Sequence, residues 1–481
     1  MLKIILILSI GILTSYGQEN ALKPNVIMIL VDDLGWTDTT CYGSDLYQTP
    51  NVDELSRTGM RFTDAYSACT VCSPTRSSIM TGKNPANNNL TDWITGHVKP
   101  YAKLKSPNWK MHLTAEEITL AEAFKATGYK TVHIGKWHLG EESVSWPENQ
   151  GFDENIAGFR AGSPSAHGGG GYFSPYNNPR LKDGPKGEYL TERLAQEASQ
   201  YIQSTAKLKK PFFMNLWLYN VHTPLQARQE KIDKYTRLIQ KGYQHTNPVY
   251  AAMVEHMDDA VGTVMQAVKD AGIEDNTIII FNSDNGGLRG NYENNRQKVT
   301  SNYPLRSGKG DMYEGGVRVP MIIKWSRKIK AGQTSSSPVI SHDIYPTLLD
   351  LCKIDVSKKQ DIDGISLVPE LLEGKTIQRD ALYWHYPHYH LEGAKPYSAI
   401  RKGDWKLIFL YEESHAELYN LRNDISERNN LAMTEKRKLA ELMGDLRTWK
   451  KKIGAQLPVF NPNYNFEKEQ NWIFSKSSTQ K

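Results

Sequence analysis

The chain has 481 residues, with 58 Lys+Arg against 53 Asp+Glu for a formal net charge of +5, and with 39% hydrophobic and 23% charged residues. That balance describes a globular protein with an ample core and room for a smaller second domain. It excludes a disordered chain and, with no long basic tract, a nucleic-acid groove; the four cysteines (Cys41, Cys69, Cys72, Cys352) exclude a disulfide scaffold.

Residues 1–17 place one Lys before the apolar run Ile4–Leu13 and small residues at Ser15 and Gly17. This reads as a signal peptide, too short in its apolar part to span a bilayer. No Cys follows it for a lipid anchor, so the expectation is an exported protein, periplasmic or secreted, with no stable membrane anchor.

Asn25–Val31 is an unbroken apolar run, as expected of a central parallel strand buried on both faces, and it ends in Asp32-Asp33-Leu34-Gly35. A short amphipathic helix is expected over Pro50–Met60 and a strand over Arg61–Thr63. Next comes Cys72-Ser73-Pro74-Thr75-Arg76, followed by Thr81-Gly82. Pro74 suits a first helical turn, which puts Cys72 at a helix N-terminus where amides and dipole favour negative charge, with Arg76 one turn on. Asn84–Lys105 is polar and irregular, with Asp92, Trp93 and His97 as possible site-lining groups. A helix over 115–126 precedes a strand at Lys130–Ile134, which runs into Gly135-Lys136-Trp137-His138-Leu139-Gly140.

Residues 158–185, rich in Gly, Pro and Asn and including His167, read as a long loop near a site mouth. Further helices are expected at Glu188–Ala206 and 249–272. Strands are expected at Phe212–Leu218, leading to His222-Thr223-Pro224, and at Thr277–Phe281, leading to Asp284-Asn285-Gly286. Lys309 follows in a Gly-rich stretch, then a strand at Met321–Trp325 and a helix at Ser341–Cys352.

Composition changes near 375–381. This marks residues 18–375 as one α/β domain and 376–460 as a smaller subdomain of antiparallel strands (Ala381–Tyr386, Ser398–Leu410) with a helix at 433–453, and 461–481 as a loosely held tail. Apolar strands alternating with helices, each ending in polar residues, predict a large mixed, mostly parallel sheet sandwiched by helices. In such sheets ligands bind beyond the carboxyl ends of the strands. Asp32, Asp33, Lys136, His138, His222, Asp284 and Asn285 all fall on that edge.

These blocks, in this order over most of the chain, resemble the formylglycine-dependent sulfatases of the alkaline-phosphatase-like superfamily. Thr75 departs from the more usual Ser. The resemblance implies that Cys72 is oxidised by a formylglycine-generating maturation enzyme to Cα-formylglycine, whose hydrate attacks sulfur and then expels sulfate. It implies one Ca²⁺ held by Asp32, Asp33, residue 72, Asp284 and Asn285, a hard oxygen set. It also implies that Arg76 and Lys136 hold the diol and the site's charge, that His138 is the base, and that His222 and Lys309 bind sulfate, one of them protonating the leaving oxygen.

The expected substrate is a sulfated oligo- or polysaccharide of algal origin, such as an ulvan or carrageenan type. The alternatives are a host-glycan (glycosaminoglycan) sulfatase, a phosphate-monoester or phosphonate hydrolase on the same scaffold, and a non-catalytic glycan-binding protein. Asp92, His167, and His385 and His388 of the aromatic run Tyr383–His390 are the expected sugar contacts.

Overall fold

The computed structural model describes residues 23–291, 297–355 and 360–470. The expected signal peptide lies outside them. Eight strands form the main sheet: β1 (Asn25–Val31), β2 (Met60–Phe62), β3 (Lys130–Gly135), β4 (Glu154–Ile156), β5 (Phe212–Trp217), β6 (Thr277–Ser283), β7 (Met321–Lys324) and β8 (Gln333–Ser335). Their order is β8-β2-β7-β6-β1-β5-β3-β4, and only β7 runs against the others.

Side chains alternate across a strand, so each face of β1 builds its own core. Ile27, Ile29 and Val31 join a cluster with the helices Pro50–Thr58 (α1), Leu190–Lys207, Gln229–Leu238 and Pro248–Asp270. Val26, Met28 and Leu30 join a second cluster with the helices Cys72–Thr81, Leu120–Ala126 and Ile344–Cys352. Helices therefore cover both faces, as the apolar runs predicted.

The C-terminal sheet has four antiparallel strands in sequential order: β9 (Leu382–Tyr386), β10 (Tyr397–Lys402), β11 (Trp405–Leu410) and β12 (His415–Asn420). Alternation again divides the work. Ile400, Leu407 and Leu418 pack under the helix Lys436–Lys452 through Leu442 and Leu446. Trp384, Tyr386, Ala399 and Ile408 pack on Tyr66, Cys69, Val71, Met312 and Val317. The small sheet thus buttresses the segment just before Cys72.

Several expectations change in detail. The single stretch Ser398–Leu410 is two strands folded at Gly403 and Asp404, and the strands β4, β8 and β12 and the helix Gln229–Leu238 went unread. The helix expected from 115 starts at Leu120, where Thr119 and Glu122 form a capping box. The tail expected from 461 is anchored at its start: Val459–Phe460 pairs with Leu104–Lys105, and the Asn461 amide donates to Pro100 O and Ala102 O at 2.9 and 2.7 Å. All four cysteines are free thiols. Among the described residues no helix is long and apolar enough to cross a membrane.

Candidate active site

Pairing of β1 with β6 and β5 and of β5 with β3 sets Val31 opposite Ser283, Leu30 opposite Trp217 and Gly135 opposite Trp217. The residues that follow these strands therefore meet on one sheet edge. Asp32 N donates to Asn220 O (2.8 Å), Lys136 N to Trp217 O (2.7 Å) and Asp284 N to Val31 O (3.2 Å), so the strand ends are stitched together just where the polar residues begin.

Asp33 sits at φ 63°, a left-handed conformation costly for a non-glycine residue. Its amide donates to Asp284 Oδ1 (3.1 Å), and Tyr250 OH donates to its carbonyl (3.3 Å). The turn is fixed by Asp38, which accepts from Gly35 N (2.8 Å), Tyr250 OH (2.6 Å) and Thr300 Oγ1 (2.7 Å). Sequence reading missed Asp38; the signal was an Asp three residues after the turn glycine.

Each acid has a fixed partner. Asp32 Oδ2 accepts from Lys136 Nζ at 2.6 Å. Asp284 Oδ2 accepts from Arg76 Nε at 2.9 Å, with Arg76 Nη2 at 2.7 Å. Lys309 Nζ lies 2.8 and 2.9 Å from the two oxygens of Asp33, and His222 Nε2 is 3.8 Å from Asp33 Oδ2. Arg76, fully buried, also donates to Lys136 O and lies over the Trp217 ring. Three carboxylates and three cations make the site formally neutral; a divalent cation would leave it positive and receptive to an anionic ester.

The donor set fits such an ion. Asp32 Oδ1 and Asn285 Oδ1 are buried with no hydrogen-bond partner, an expensive state unless something else occupies them. Asn285 Nδ2 is spent on Asp33 Oδ1 (2.8 Å) and Gly286 O (3.0 Å), which turns Oδ1 away. Ligand atoms of Asp32, Asp33 and Cys72 lie within 4.8 Å of one another. Burial, then the neighbouring Asp284 and Asp33, push Asp32 up to about 8 despite Lys136. Asp33 is also buried, but Lys309 and His222 hold it well below the carboxylate range. Gly286 is required here, since a Cβ would lie 1.9 Å from Gly315 O.

Cys72 is the first residue of a helix that is buried throughout, after the extended Val71. Thr75 Oγ1 fixes the approach, accepting from Cys69 N (3.0 Å) and donating to Cys69 O (3.2 Å). Burial pushes the Cys72 thiol up to about 12, so as a thiol it is a poor nucleophile. His138, at φ 58°, is tied in by its carbonyl, which accepts from Ser73 Oγ (2.8 Å). Its Nε2 donates to Ile94 O (2.5 Å), which leaves Nδ1 as a buried lone pair without a partner.

Asp32, Asp33, Cys72, Arg76, Lys136, His138, His222, Asp284, Asn285 and Lys309 are thus brought together. The expected sugar contacts are placed differently. His385 is committed elsewhere: its nitrogens bond Ser398 Oγ (2.7 Å) and Gln456 O (2.8 Å), so it is a structural residue of the small subdomain. His388 is fully buried, with Nε2 on Thr91 Oγ1 (2.8 Å) and Trp109 edge-on to its ring. Asp92 is also fully buried; its Oδ1 accepts from Tyr386 OH (2.7 Å) and Trp93 N (2.9 Å), which makes it a loop anchor. His167 Nε2 is 4.0 Å from Glu141 Oε1.

Residues 24–354 match the family described as Sulfatase, and residues 308–453 match N-sulphoglucosamine sulphohydrolase, C-terminal. The chain belongs to the sulfatase family. A sulfatase of Formosa agariphila is 33% identical over 480 residues, covering 85% of this chain and 84% of the relative. The N-acetylgalactosamine-6-sulfatase of Rattus norvegicus is 30% identical over 400 residues, covering 78% and 70%. Among solved structures, Ps i-CgsB in complex with k-i-k-neocarrahexaose superposes with a TM-score of 0.76 at 29% identity, over 94% of this chain and 97% of that one. The phosphonate monoester hydrolase of Agrobacterium radiobacter shares the fold, with a TM-score of 0.62 at 19% identity over 91% of this chain and 99% of that one. This sulfatase-family chain is accordingly a sulfuric ester hydrolase, with the alkaline-phosphatase-like fold expected from its sequence.

Proposed function

We propose that the protein, exported from its cell, hydrolyses sulfate monoesters on an algal polysaccharide-derived saccharide, with residue 72 working as formylglycine after conversion of its cysteine by a maturation enzyme. The observation that carries the reading is the position of residue 72. It begins a buried helix beside the carboxylates of Asp32 and Asp33, one oxygen of Asp32 lacking a hydrogen-bond partner, and a ring of three cations. A thiol kept protonated by burial is a poor nucleophile, which supports a converted side chain there.

Asp32, Asp33, Asp284 and Asn285 would hold one Ca²⁺, which when bound neutralises sulfate oxygens and polarises the S–O bond. Arg76 bridges Asp284 and Lys136 O, locking acid and helix in register before substrate arrives. Lys136 holds Asp32. His138 accepts the proton given up at residue 72, because Nδ1 is its bare nitrogen. His222 Nδ1 pairs with Thr223 O (2.7 Å), so in the neutral ring Nε2 is a lone pair. Lys309 already carries protons, which supports Lys309 as the donor to the departing alcohol oxygen, while His222 would donate to a sulfate oxygen only as the imidazolium, with Nε2 protonated beside Asp33. Sulfate and the free alcohol are the products.

The likeness to Ps i-CgsB, solved with a neocarrahexaose, supports a carrageenan-type saccharide, and the likeness to the N-acetylgalactosamine-6-sulfatase of Rattus norvegicus supports a glycosaminoglycan as the second reading. The test is release of free sulfate across defined carrageenan-, ulvan- and glycosaminoglycan-type oligosaccharides, alongside phosphate and phosphonate esters. Sulfate release confined to algal-type sugars, and lost in Cys72→Ala, is expected. Dominant phosphonate or phosphate hydrolysis would make the protein a phosphonate hydrolase, and binding without turnover would make it a glycan-binding protein.

A further inference from the structure

Behind the Asp33 turn, three segments of the chain meet around one buried histidine. His245 lies between the helices Gln229–Leu238 and Pro248–Asp270. Its Nδ1 is 2.7 Å from Asp45 Oδ1, and its Nε2 is 3.0 Å from Ser301 O and 3.4 Å from Asp38 Oδ1. The Tyr47 ring covers it, with 4.4 Å between centroids.

The atoms facing the two ring nitrogens are all acceptors. A backbone carbonyl cannot donate. Asp45 accepts from Gln244 N (2.5 Å) and His245 N (3.2 Å); burial opposes its charge, but these amides and the His245 ring hold it below the usual carboxylate range. Asp38 already accepts from Gly35 N, Tyr250 OH and Thr300 Oγ1. A neutral imidazole has one N–H and one lone pair, so on one side it would aim a lone pair at a buried oxygen. Both nitrogens therefore donate, and the ring is an imidazolium. Burial works against that charge, but Asp38 and then Asp45 outweigh it and push the ring above the ordinary histidine range. Asp38, Asp45 and Tyr47 are the titratable groups facing it, with Tyr250 beyond Asp38.

Two loops of the site are tied to this cation. Through Asp38 it reaches Gly35 N and Tyr250 OH, and Tyr250 OH also donates to the carbonyl of the left-handed Asp33. Such a backbone persists only where its surroundings over-determine it. Through Ser301 it reaches Asn302, whose side chain accepts from Gly287 N (3.2 Å) and donates to Gly287 O (2.9 Å) and Ser307 O (3.0 Å). Lys309 N donates to the same Gly287 O at 3.1 Å.

We propose that His245, as an imidazolium bridging Asp45 and Asp38, is a positioning residue for the Asp32-Asp33 end of the proposed calcium site. The inference rests on the calcium reading. His245 acts through Asp38, and outer partners of ligating groups are typically worth about 10–100-fold in metal affinity. Its charge gives the effect a pH signature. A ring with a raised pKa keeps its proton, and its hold on Asp38, at low pH and loses both as pH rises through that value.

The experiment measures calcium affinity by titration calorimetry in the unaltered protein, His245→Gln, Asp38→Asn and the double variant. The variant-to-parent ratio cancels titration of the ligands, which all four share. His245→Gln, which hydrogen-bonds without charge, is expected to weaken calcium about 10–100-fold near about pH 6 and by a smaller factor near about pH 9. Asp38→Asn should cost at least as much, and the double variant little more than Asp38→Asn alone, because the two residues act as one unit. Histidine ring NMR on the unaltered protein reads the charge directly, on the resonance whose titration moves to lower pH in Asp45→Asn; an imidazolium near about pH 7 is expected. A neutral ring there, a ratio for His245→Gln below about threefold near about pH 6, a ratio flat with pH, or additive losses would overturn the inference and leave the calcium reading intact. An unaltered protein that binds no calcium would overturn that reading and the positioning role with it.

Discussion

Replacing Lys406 by Met tests whether the C-terminal sheet is an integral wall of the site. Lys406 stands on β11, and its Nζ lies 2.8 Å from Glu314 Oε1 and 2.9 Å from Glu427 Oε1, all three side chains fully buried. Glu314 also accepts from Tyr66 OH and Arg318 Nε, each at 2.7 Å, and its amide donates to Glu427 Oε2 at 2.6 Å. Together these bonds close the 306–318 loop, which presents Lys309, onto the small sheet. Methionine keeps most of the volume but leaves the buried Glu427 without a cation, while Glu314 keeps Arg318, and breaking such a pair costs about 3–5 kcal/mol. At about 2 °C per kcal/mol for a large chain, Tm should fall by roughly 6–10 °C.

The deficit should depend on pH. Burial and Glu314 already push Glu427 up to about 7 against the pull of Lys406. Without the ammonium it rises further, so the folded variant holds a proton that the unfolded chain releases. A group with a raised folded pKa supports stability at low pH and loses that support as pH rises, so the variant's deficit should be larger near about pH 8 than near about pH 5.5. Adding Glu427→Gln should recover part of it by removing the stranded charge. Urea unfolding at both pH values reads this directly. A Lys406→Met variant within about 1 kcal/mol of the parent at both pH values, or a double variant no more stable than the single, would refute the reasoning.

Three further outcomes are expected. Chelation should lower activity and Ca²⁺ restore it, and Asp32→Asn or Asn285→Ala should lose bound calcium by elemental analysis; full calcium occupancy in either variant would count against the assigned ligands. His138→Ala should lower kcat by about 10²–10⁴-fold with little change in KM, as for loss of a general base; a change confined to KM would assign it to binding instead. Thr75→Ser should be neutral, because the serine hydroxyl can still meet both Cys69 backbone groups, whereas Thr75→Val should cost about 1–3 kcal/mol in chemical unfolding; equal stability of the two would remove Thr75 from the loop's support.

The central parallel strands were legible because burial on both faces demands unbroken apolar runs, while the short, half-exposed edge strands β4 and β8 were not; the strand-end residues were legible because strand ends in such a sheet converge. Asn25–Val31 with Asp32-Asp33, and Thr277–Ser283 with Asp284-Asn285, carried both facts at once. β12 was harder to see: His415–Asn420 has only Leu418 and Tyr419 buried, so its pattern is weak. The expected sugar contacts His385 and His388 could not be placed from sequence for a related reason. In Tyr383–His390 the aromatic and His composition is the same for a wall as for a core. His385 is consumed by Ser398 and Gln456 and His388 is buried with Nε2 on Thr91, while His390, two residues on, reaches Gly310 beside Lys309. Only three-dimensional pairing separates them.

The mass of the peptide spanning residue 72, from protein made alongside a competent formylglycine-generating enzyme and shown to release sulfate, tests the central claim most directly. The account predicts the aldehyde or its hydrate at residue 72. An unmodified cysteine throughout a preparation that still releases sulfate would contradict it.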